Sequence, residues 1–180
     1  MSGTILITYA TRTGSTKGIS AFMGDILFNL GEKVEIKPVQ SVIDLSIYKA
    51  IIVGSAVQGS KLMPEVIDFI SSNRNELSQK PFAIFLVCMT LAMKKGNEYS
   101  SFVSDWLDPV RIMVNPIREG LFSGILDISK IPSFRDRCKF RLSVLFRVWE
   151  EGDHRDWDAI QLWTKNLKSA IDKFDLQNIK

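Results

Sequence analysis

Short apolar runs alternate along this chain with segments whose apolar residues recur at helical spacing. The strand-like runs are residues 4–9, 34–39, 50–53, 82–88 and 119–123. Helical patterns separate them, so consecutive strands are joined by crossovers that pair the strands in parallel and place helices on both faces of the sheet. The alternation therefore predicts an α/β fold, a doubly wound sandwich with five parallel strands.

Local signals mark where several of these elements begin and end. Gly31 follows the first helical pattern as a stop, and Pro64 opens the second helix. A helix is predicted over residues 98–107, and Asp108-Pro109 has the N-cap and N1 pattern of a restart. The last helix is predicted to begin near residues 153–156 and to bury Ile160, Trp163, Leu167, Ile171 and Phe174. Pro38 indicates that the second strand lies at an edge.

Length and composition exclude several classes of protein. The chain has 180 residues, of which 46% are apolar and 24% charged, so residues 1–180 are expected to form a single ordinary domain. The cysteines, Cys88 and Cys138, are far apart, and His154 is the sole histidine, which predicts neither a disulfide scaffold nor a metal site. The longest apolar run, residues 82–89, is too short to span a bilayer. With no recognisable secretion signal, a cytoplasmic location is expected.

The loop after the first strand has the composition of a phosphate site. Ligands of doubly wound folds bind beyond the carboxyl ends of the strands. This loop is rich in hydroxyl groups and consists of Thr11, Arg12, Thr13, Gly14, Ser15 and Thr16. A glycine lets the backbone turn, and the next helix directs its free N–H groups at the loop. Arg12 could add charge or point to solvent, and an ordinary turn with a threonine cap is the alternative.

The motif Thr11-x-Thr13-Gly14-x-Thr16 resembles the FMN-phosphate loop of flavodoxins. This resemblance implies a flavodoxin-like fold with strand order 2-1-3-4-5 and FMN as the cofactor. It also implies that the loops after the third and fourth strands hold the flavin ring through Ser55, Ala56, Val57, Gln58, Cys88, Met89, Thr90 and Leu91. No side chain is assigned a catalytic role, and Cys88 is expected to be an inert packing residue.

A closer resemblance is to the flavodoxin-like protoporphyrinogen oxidases of bacteria, which pass electrons to quinone. It rests on Gly54-Ser55-Ala56, Asn115-Pro116, Gly124, Asp156-Trp157 and a basic insertion before the last helix. The resemblance implies an FMN-dependent oxidoreductase that acts on a large planar, protoporphyrinogen-like substrate with quinone as acceptor. The alternative is a soluble single-domain electron-transfer carrier that serves a redox partner protein. Flavodoxins are usually acidic, whereas this chain has a net charge of +3.

The basic insertion, at about residues 125–151, combines positive charge with apolar side chains. Residues 130–147 contain six basic residues and one acidic residue, Asp136. Apolar side chains recur at helical spacing at Phe134, Cys138, Leu142, Leu145 and Trp149. Such a helix could lie on an anionic membrane through residues 130–149, peripherally on the inner face of the cell membrane, or pack on its own domain. Nucleic acid is not expected as a partner, because the basic run is short, and a homodimer stays open.

Overall fold

The computed structural model describes residues 3–93, 95–131 and 133–177, which form a parallel sheet with helices on both faces. The strands are β1 Thr4–Ala10, β2 Lys33–Pro38, β3 Tyr48–Gln58, β4 Lys61–Leu62, β5 Phe82–Val87, β6 Arg118–Phe122, β7 Ile125–Leu126 and β8 Gly152–Asp153. The helices are α1 Ser15–Asn29, α2 Pro64–Ser72, α3 Arg74–Ser78, α4 Ser100–Ser104, α5 Asp108–Met113, α6 Phe134–Leu145 and α7 Trp157–Gln177.

The long strands run parallel in the order β2-β1-β3-β5-β6. This is the predicted order 2-1-3-4-5, since β4 is a two-residue strand that pairs only with β3 and the fourth and fifth long strands are β5 and β6. The fold class is therefore confirmed. Strand β2 lies at an edge, as Pro38 predicts, because proline has no N–H to donate to a further strand.

Two apolar layers hold the sheet between its helices. Ile5 and Ile7 of β1 point to the layer covered by α1 and α7, and Leu6 between them points to the layer covered by α2 and α5. Every residue of β5 is buried, as expected for a central parallel strand. Helix α7 buries Ile160, Leu167 and Ile171 as predicted, whereas Trp163 and Phe174 are only partly buried.

Strand β3 is longer than the predicted run at residues 50–53. It continues through residues 55–58, which were expected to be a loop, and turns back into β4. Gly59 and Ser60 at the turn both have positive φ, 58° and 59°. Two such residues form the tight turn that matches the twist of a hairpin, so pairing with β4 keeps residues 55–58 extended.

The helix expected over residues 98–107 is interrupted. Its residues form a 3₁₀ turn, the short helix α4 and a second 3₁₀ turn. Asp108 was predicted to cap the next helix, but it is the first residue of α5, and Leu107 holds the cap position. The Asp108 carboxylate instead accepts a hydrogen bond from Arg111 one turn later, at 2.7 Å.

The basic insertion leaves and rejoins the sandwich through the antiparallel pair β7–β8. Helix α6 ends at Leu145, so the prediction that Trp149 continues the same helical stripe is wrong. The remaining stripe is exposed rather than packed on the protein, with Phe134 75% and Leu145 74% accessible. No helix in the described ranges is long and apolar enough to cross a membrane.

Candidate functional site

A cavity of about 580 Å³ opens at the carboxyl ends of β1, β3 and β5. This is the point where the strand order reverses, since the chain moves outward from β1 to β2 and then returns to β3 on the other side. The volume lies within the roughly 300–1,000 Å³ of small-molecule sites. The three loops singled out in the sequence all contribute to its walls.

The loop at residues 11–16 turns sharply into α1. Gly14 has φ of +95°, a left-handed conformation that glycine adopts without strain. Its N–H donates to Thr11 Oγ1 at 3.1 Å, which closes the turn. In the described chain, α1 has neither a side-chain cap nor an acidic residue in its first turn. The first N–H groups of this helix and its positive dipole end are therefore left for an anion.

The hydroxyl of Thr16 provides the sharpest evidence that a ligand belongs here. Thr16 lines the cavity, yet its Oγ1 is buried and has no hydrogen-bond partner among the described residues. A buried hydroxyl without a partner costs about 1–3 kcal/mol. A phosphate oxygen in the cavity would accept this hydrogen bond, so the loop fits a phosphate-bearing cofactor.

Arg12 lies at the cavity rim, but its charge is already paired. Its Nη1 donates to Glu65 Oε1 at 3.0 Å, and the side chain is half exposed. An anion in the loop would consequently be bound by hydroxyl and backbone N–H groups, with no unpaired guanidinium. Ser15 and Thr13 also line the cavity.

The second and third loops contribute unequally. The cavity is lined by Ala56, Val57 and Gln58 from the end of β3 and by Cys88 and Met89 after β5. Four predicted site residues do not line it: Gly14, Ser55, Thr90 and Leu91. Ser55 is fully buried, and its Oγ accepts from the Met63 N–H at 3.0 Å, so it supports the β3–β4 hairpin instead.

Cys88 lies at the cavity wall as a protonated thiol. Burial raises the pKa of this thiol above its ordinary value, although hydrogen bonds with the backbone of Leu91 and Thr90 oppose the rise. The reactive form of cysteine is the thiolate, which burial disfavours. The environment of Cys88 is thus that of a packing residue.

One wall of the cavity comes from a segment that the sequence did not predict to be part of it. Besides Gly59 and Val87, the unpredicted lining residues are Gly124, Ile125, Leu126, Asp127, Ile131, Ser133, Asp136 and Phe140. The Ile125 N–H donates to Ser15 Oγ at 3.0 Å, which joins this segment to the loop at residues 11–16. The predicted fifth strand could have indicated this wall, because a strand parallel to β5 ends at the same edge of the sheet and the residues that follow it lie there.

The added wall carries two carboxylates. Hydrogen bonds from Ser129 and Lys130 lower the pKa of Asp127 to about 2, so this group is ionised at neutral pH. The Asp136 backbone N–H donates to Ser133 Oγ at 3.3 Å, and its carboxylate lies 3.9 Å from the Lys139 Nζ. The described lining therefore combines a hydroxyl-rich loop on one side with apolar groups and two lysine-paired carboxylates on the other.

Comparison with known proteins agrees with this geometry. The family model of the flavodoxin domain matches residues 6–156. A short-chain flavodoxin associated with a bacterial microcompartment superposes with a TM-score of 0.59 at 15% identity, over 93% of this chain and 99% of that one. A flavodoxin of Streptococcus pneumoniae gives 0.58 at 19% identity over 93% and 99%.

A third structure, a Fusobacterium nucleatum flavodoxin bound to flavin mononucleotide, gives a TM-score of 0.53 at 13% identity, over 93% of this chain and 98% of that one. A search of curated protein sequences found no match. The structural likeness concerns the fold, and the family model covers more than half of the sequence. The chain belongs to the flavodoxin-domain family.

Proposed function

We propose that this chain is an FMN-binding redox protein that carries electrons, as a single domain with one insertion. The observation that carries the proposal is the buried Thr16 hydroxyl, which has no hydrogen-bond partner among the described residues and lies in the first turn of α1, where no described side chain caps the helix. Thr11, Thr13, Ser15 and Thr16 would hold the phosphate, with Gly14 shaping the turn. When bound, FMN supplies the electron chemistry, and the protein contributes binding, orientation and access.

The remaining lining residues suit the edge of a planar ring. Ala56 and Val57 at the end of β3 and Met89 after β5 offer apolar contacts, and Gln58 offers an amide. Ser55, Thr90 and Leu91 would act behind this wall by supporting it. The neutral Cys88 thiol adds bulk without adding charge.

The role of electron carrier is favoured over that of a substrate-oxidising enzyme by the similar structures, which are flavodoxins. A redox partner protein would exchange electrons with the carrier.

The visible spectrum of the purified protein with and without added FMN tests the proposal. We expect flavin absorption bands to remain with the wild type after gel filtration and to weaken in a Thr13→Val, Thr16→Val variant. A Thr164→Val variant is the matched control, because Thr164 is a buried threonine of α7 remote from the cavity. A wild type that takes up no FMN would overturn the proposal.

The second candidate is an oxidoreductase that works at a membrane on a large planar substrate with quinone as acceptor. The exposed stripe of α6 favours it, since Leu142 and Leu145 are accessible beside the cationic Arg141. Apolar side chains flanked by cations suit an anionic lipid surface. Residues 130–149 would then form the contact.

Sedimentation with vesicles of phosphatidylglycerol and phosphatidylcholine separates the two candidates. The second predicts binding that needs phosphatidylglycerol and that falls in a Leu142→Ser, Leu145→Ser variant. A Leu162→Ser, Leu176→Ser variant, with two exposed leucines of α7 replaced, is the control and should bind as the wild type does. Equal distribution of all three proteins would remove the membrane contact and leave the carrier.

A further inference from the structure

Phe140 is the one aromatic side chain among the described residues that line the cavity. The loops after β1, β3 and β5 contribute hydroxyl, aliphatic, amide and sulfur-containing groups, but no ring. The ring is supplied by α6, which lies more than a hundred residues from the loop at residues 11–16. An aromatic side chain from a distant segment thus completes a wall to which the loops after β1, β3 and β5 contribute no ring.

Phe140 differs from its apolar neighbours on the same helix. Phe134, Leu142 and Leu145 are exposed, whereas Phe140 is partly buried. Its ring centroid lies 5.2 Å from that of Trp149, with an angle of 36° between the ring planes. Trp149 is also partly buried, so the two rings support each other at the cavity, where Phe140 alone lines the wall.

Hydrogen bonds hold this wall to the rest of the cavity. The Ser133 hydroxyl caps α6, and the pair β7–β8 closes the base of the insertion. The Ile128 N–H donates to Glu151 Oε1 at 3.1 Å across that base. At its start, the Ile125 N–H bonds Ser15 in the first turn of α1. The segment that leads into the helix of Phe140 is therefore hydrogen-bonded to the first turn of α1.

We propose that Phe140, backed by Trp149, is the aromatic wall against which the flavin ring of FMN rests. The inference rests on the proposed function, since it assigns a ligand contact within the same cavity. A planar conjugated ring gains from contact with a phenyl side chain by apolar burial and by the favourable geometry of aromatic pairs. Helix α6 would then belong to the cofactor site through its inner side, while its outer side stays exposed.

The test compares Phe140→Leu with Phe134→Leu in the full-length protein titrated with FMN. The control replaces the same residue type on the same helix at a position that does not line the cavity. We expect Phe140→Leu to raise the Kd for FMN about 2- to 10-fold, the effect of one aromatic contact. The fluorescence of bound FMN gives a second measurement through a Phe140→Trp variant, because an indole ring, unlike a phenyl ring, quenches a flavin in contact with it by electron transfer.

Phe140→Trp should keep the Kd near that of the wild type and lower the emission of bound FMN, whereas Phe134→Trp, at a position that does not line the cavity, should leave the emission unchanged. Circular dichroism shows whether each variant keeps its helix content. If Phe140→Leu binds FMN with the Kd of the wild type and Phe140→Trp leaves the emission of bound FMN unchanged, the inference is wrong while the proposed function stands. If the wild type itself fails to bind FMN, both fall together.

Discussion

The two ends of the parallel sheet differ in how their polar groups are satisfied. At the amino-terminal end, the Lys80 ammonium donates to the backbone carbonyls of Leu45, Ser46 and Tyr48 at 2.5, 3.1 and 2.8 Å. At the carboxyl end, the Thr16 hydroxyl and the first turn of α1 lack partners in the described chain. The charged group at the amino-terminal end hydrogen-bonds within the protein, whereas hydrogen-bonding groups at the carboxyl end remain available for a ligand.

A network of ion pairs strengthens the amino-terminal end further. Glu32, just before β2, contacts Lys49 of β3 at 2.5 Å and Lys168 of α7 at 3.1 Å. Lys168 also contacts Asp172 at 2.6 Å. These contacts join the edge of the sheet to a helix on one face. We therefore expect substitutions at the amino-terminal end of the sheet to affect stability and substitutions at the carboxyl end to affect FMN binding.

The largest effect is expected from Thr16→Val on FMN affinity. A hydrogen bond to a charged group contributes about 1.5–3 kcal/mol, which corresponds to an increase of the Kd by roughly 10- to 150-fold. The free energy of unfolding of the apoprotein should stay constant or increase, because the variant removes a buried hydroxyl that has no partner. Urea unfolding and FMN titration measure both quantities.

The matched control for this change is Thr164→Val. The Thr164 Oγ1 donates to the Ile160 carbonyl at 2.7 Å, so its loss should lower stability by about 1 kcal/mol without affecting the Kd. If Thr16→Val loses as much stability as this control, the Thr16 hydroxyl has a hydrogen-bond partner in the apoprotein, and its proposed role in binding the phosphate is contradicted.

The next largest effect is expected at the amino-terminal end of the sheet, where a substitution should lower stability and leave the Kd for FMN unchanged. Lys80→Met removes the ammonium donor from three backbone carbonyls, of which that of Leu45 still accepts from the Tyr48 N–H, and should lower the free energy of unfolding by about 2 kcal/mol. The Kd for FMN should not change, since Lys80 precedes β5 and the cavity follows it. Lys173→Met, at an exposed position on α7, is the control and should be neutral. A weakened Kd in Lys80→Met would break the separation of the two ends.

A smaller, pH-dependent effect is expected from Glu32. Burial would raise the pKa of this carboxyl group, but hydrogen bonds from Lys49 and Lys168 outweigh burial and hold the pKa below its ordinary value of 4.5. The ionised form therefore stabilises the folded protein above pH 4.5, and this contribution disappears as the pH falls through the lowered pKa.

Unfolding measured between neutral pH and pH 3 tests this prediction. We expect Glu32→Gln to lower stability by about 1 kcal/mol at neutral pH and to converge with the wild type at acidic pH. A difference between the two proteins that is the same at every pH would show that the ionised carboxylate is not the stabilising group.

The smallest effect on stability is expected at the exposed face of α6. Leu142→Ser and Leu145→Ser should each change the free energy of unfolding by no more than about 0.5 kcal/mol, because both side chains are largely accessible. Urea unfolding of the variant used for vesicle sedimentation measures this directly. A loss of several kcal/mol would mean that the stripe packs on the protein and would remove the basis for a membrane contact.

Much of the sheet follows from local sequence. Continuous apolar runs such as residues 4–9 and 82–88 indicate central strands, because a strand between two helical layers buries both of its faces. The turn at residues 11–16 likewise follows from local sequence, since its glycine and its hydroxyl groups lie within a few residues of each other. These signals depend on neighbours in the chain.

Other features depend on contacts between distant residues. The extension of β3 to Gln58 requires pairing with β4, and the single helix predicted over residues 98–107 is instead divided into α4 and two 3₁₀ turns. The apolar spacing of residues 134–149 suggested a single stripe. The fold instead ends the helix at Leu145 and turns Phe140, between the stripe positions, toward the cavity.

The sequence by itself therefore determined the alternation of strands and helices and the hydroxyl-rich composition of the loop at residues 11–16, because periodicity and turn chemistry act over a few residues. The strand order was implied by the resemblance to flavodoxins, and the structure confirms it. Only the tertiary structure decided which side of α6 meets the cavity and which hydroxyl lacks a partner. The segment before α6 is held by the hydrogen bond from Ile125 to Ser15, and Phe140 packs against Trp149. Such contacts join segments whose separation in the chain carries no information about their distance in space.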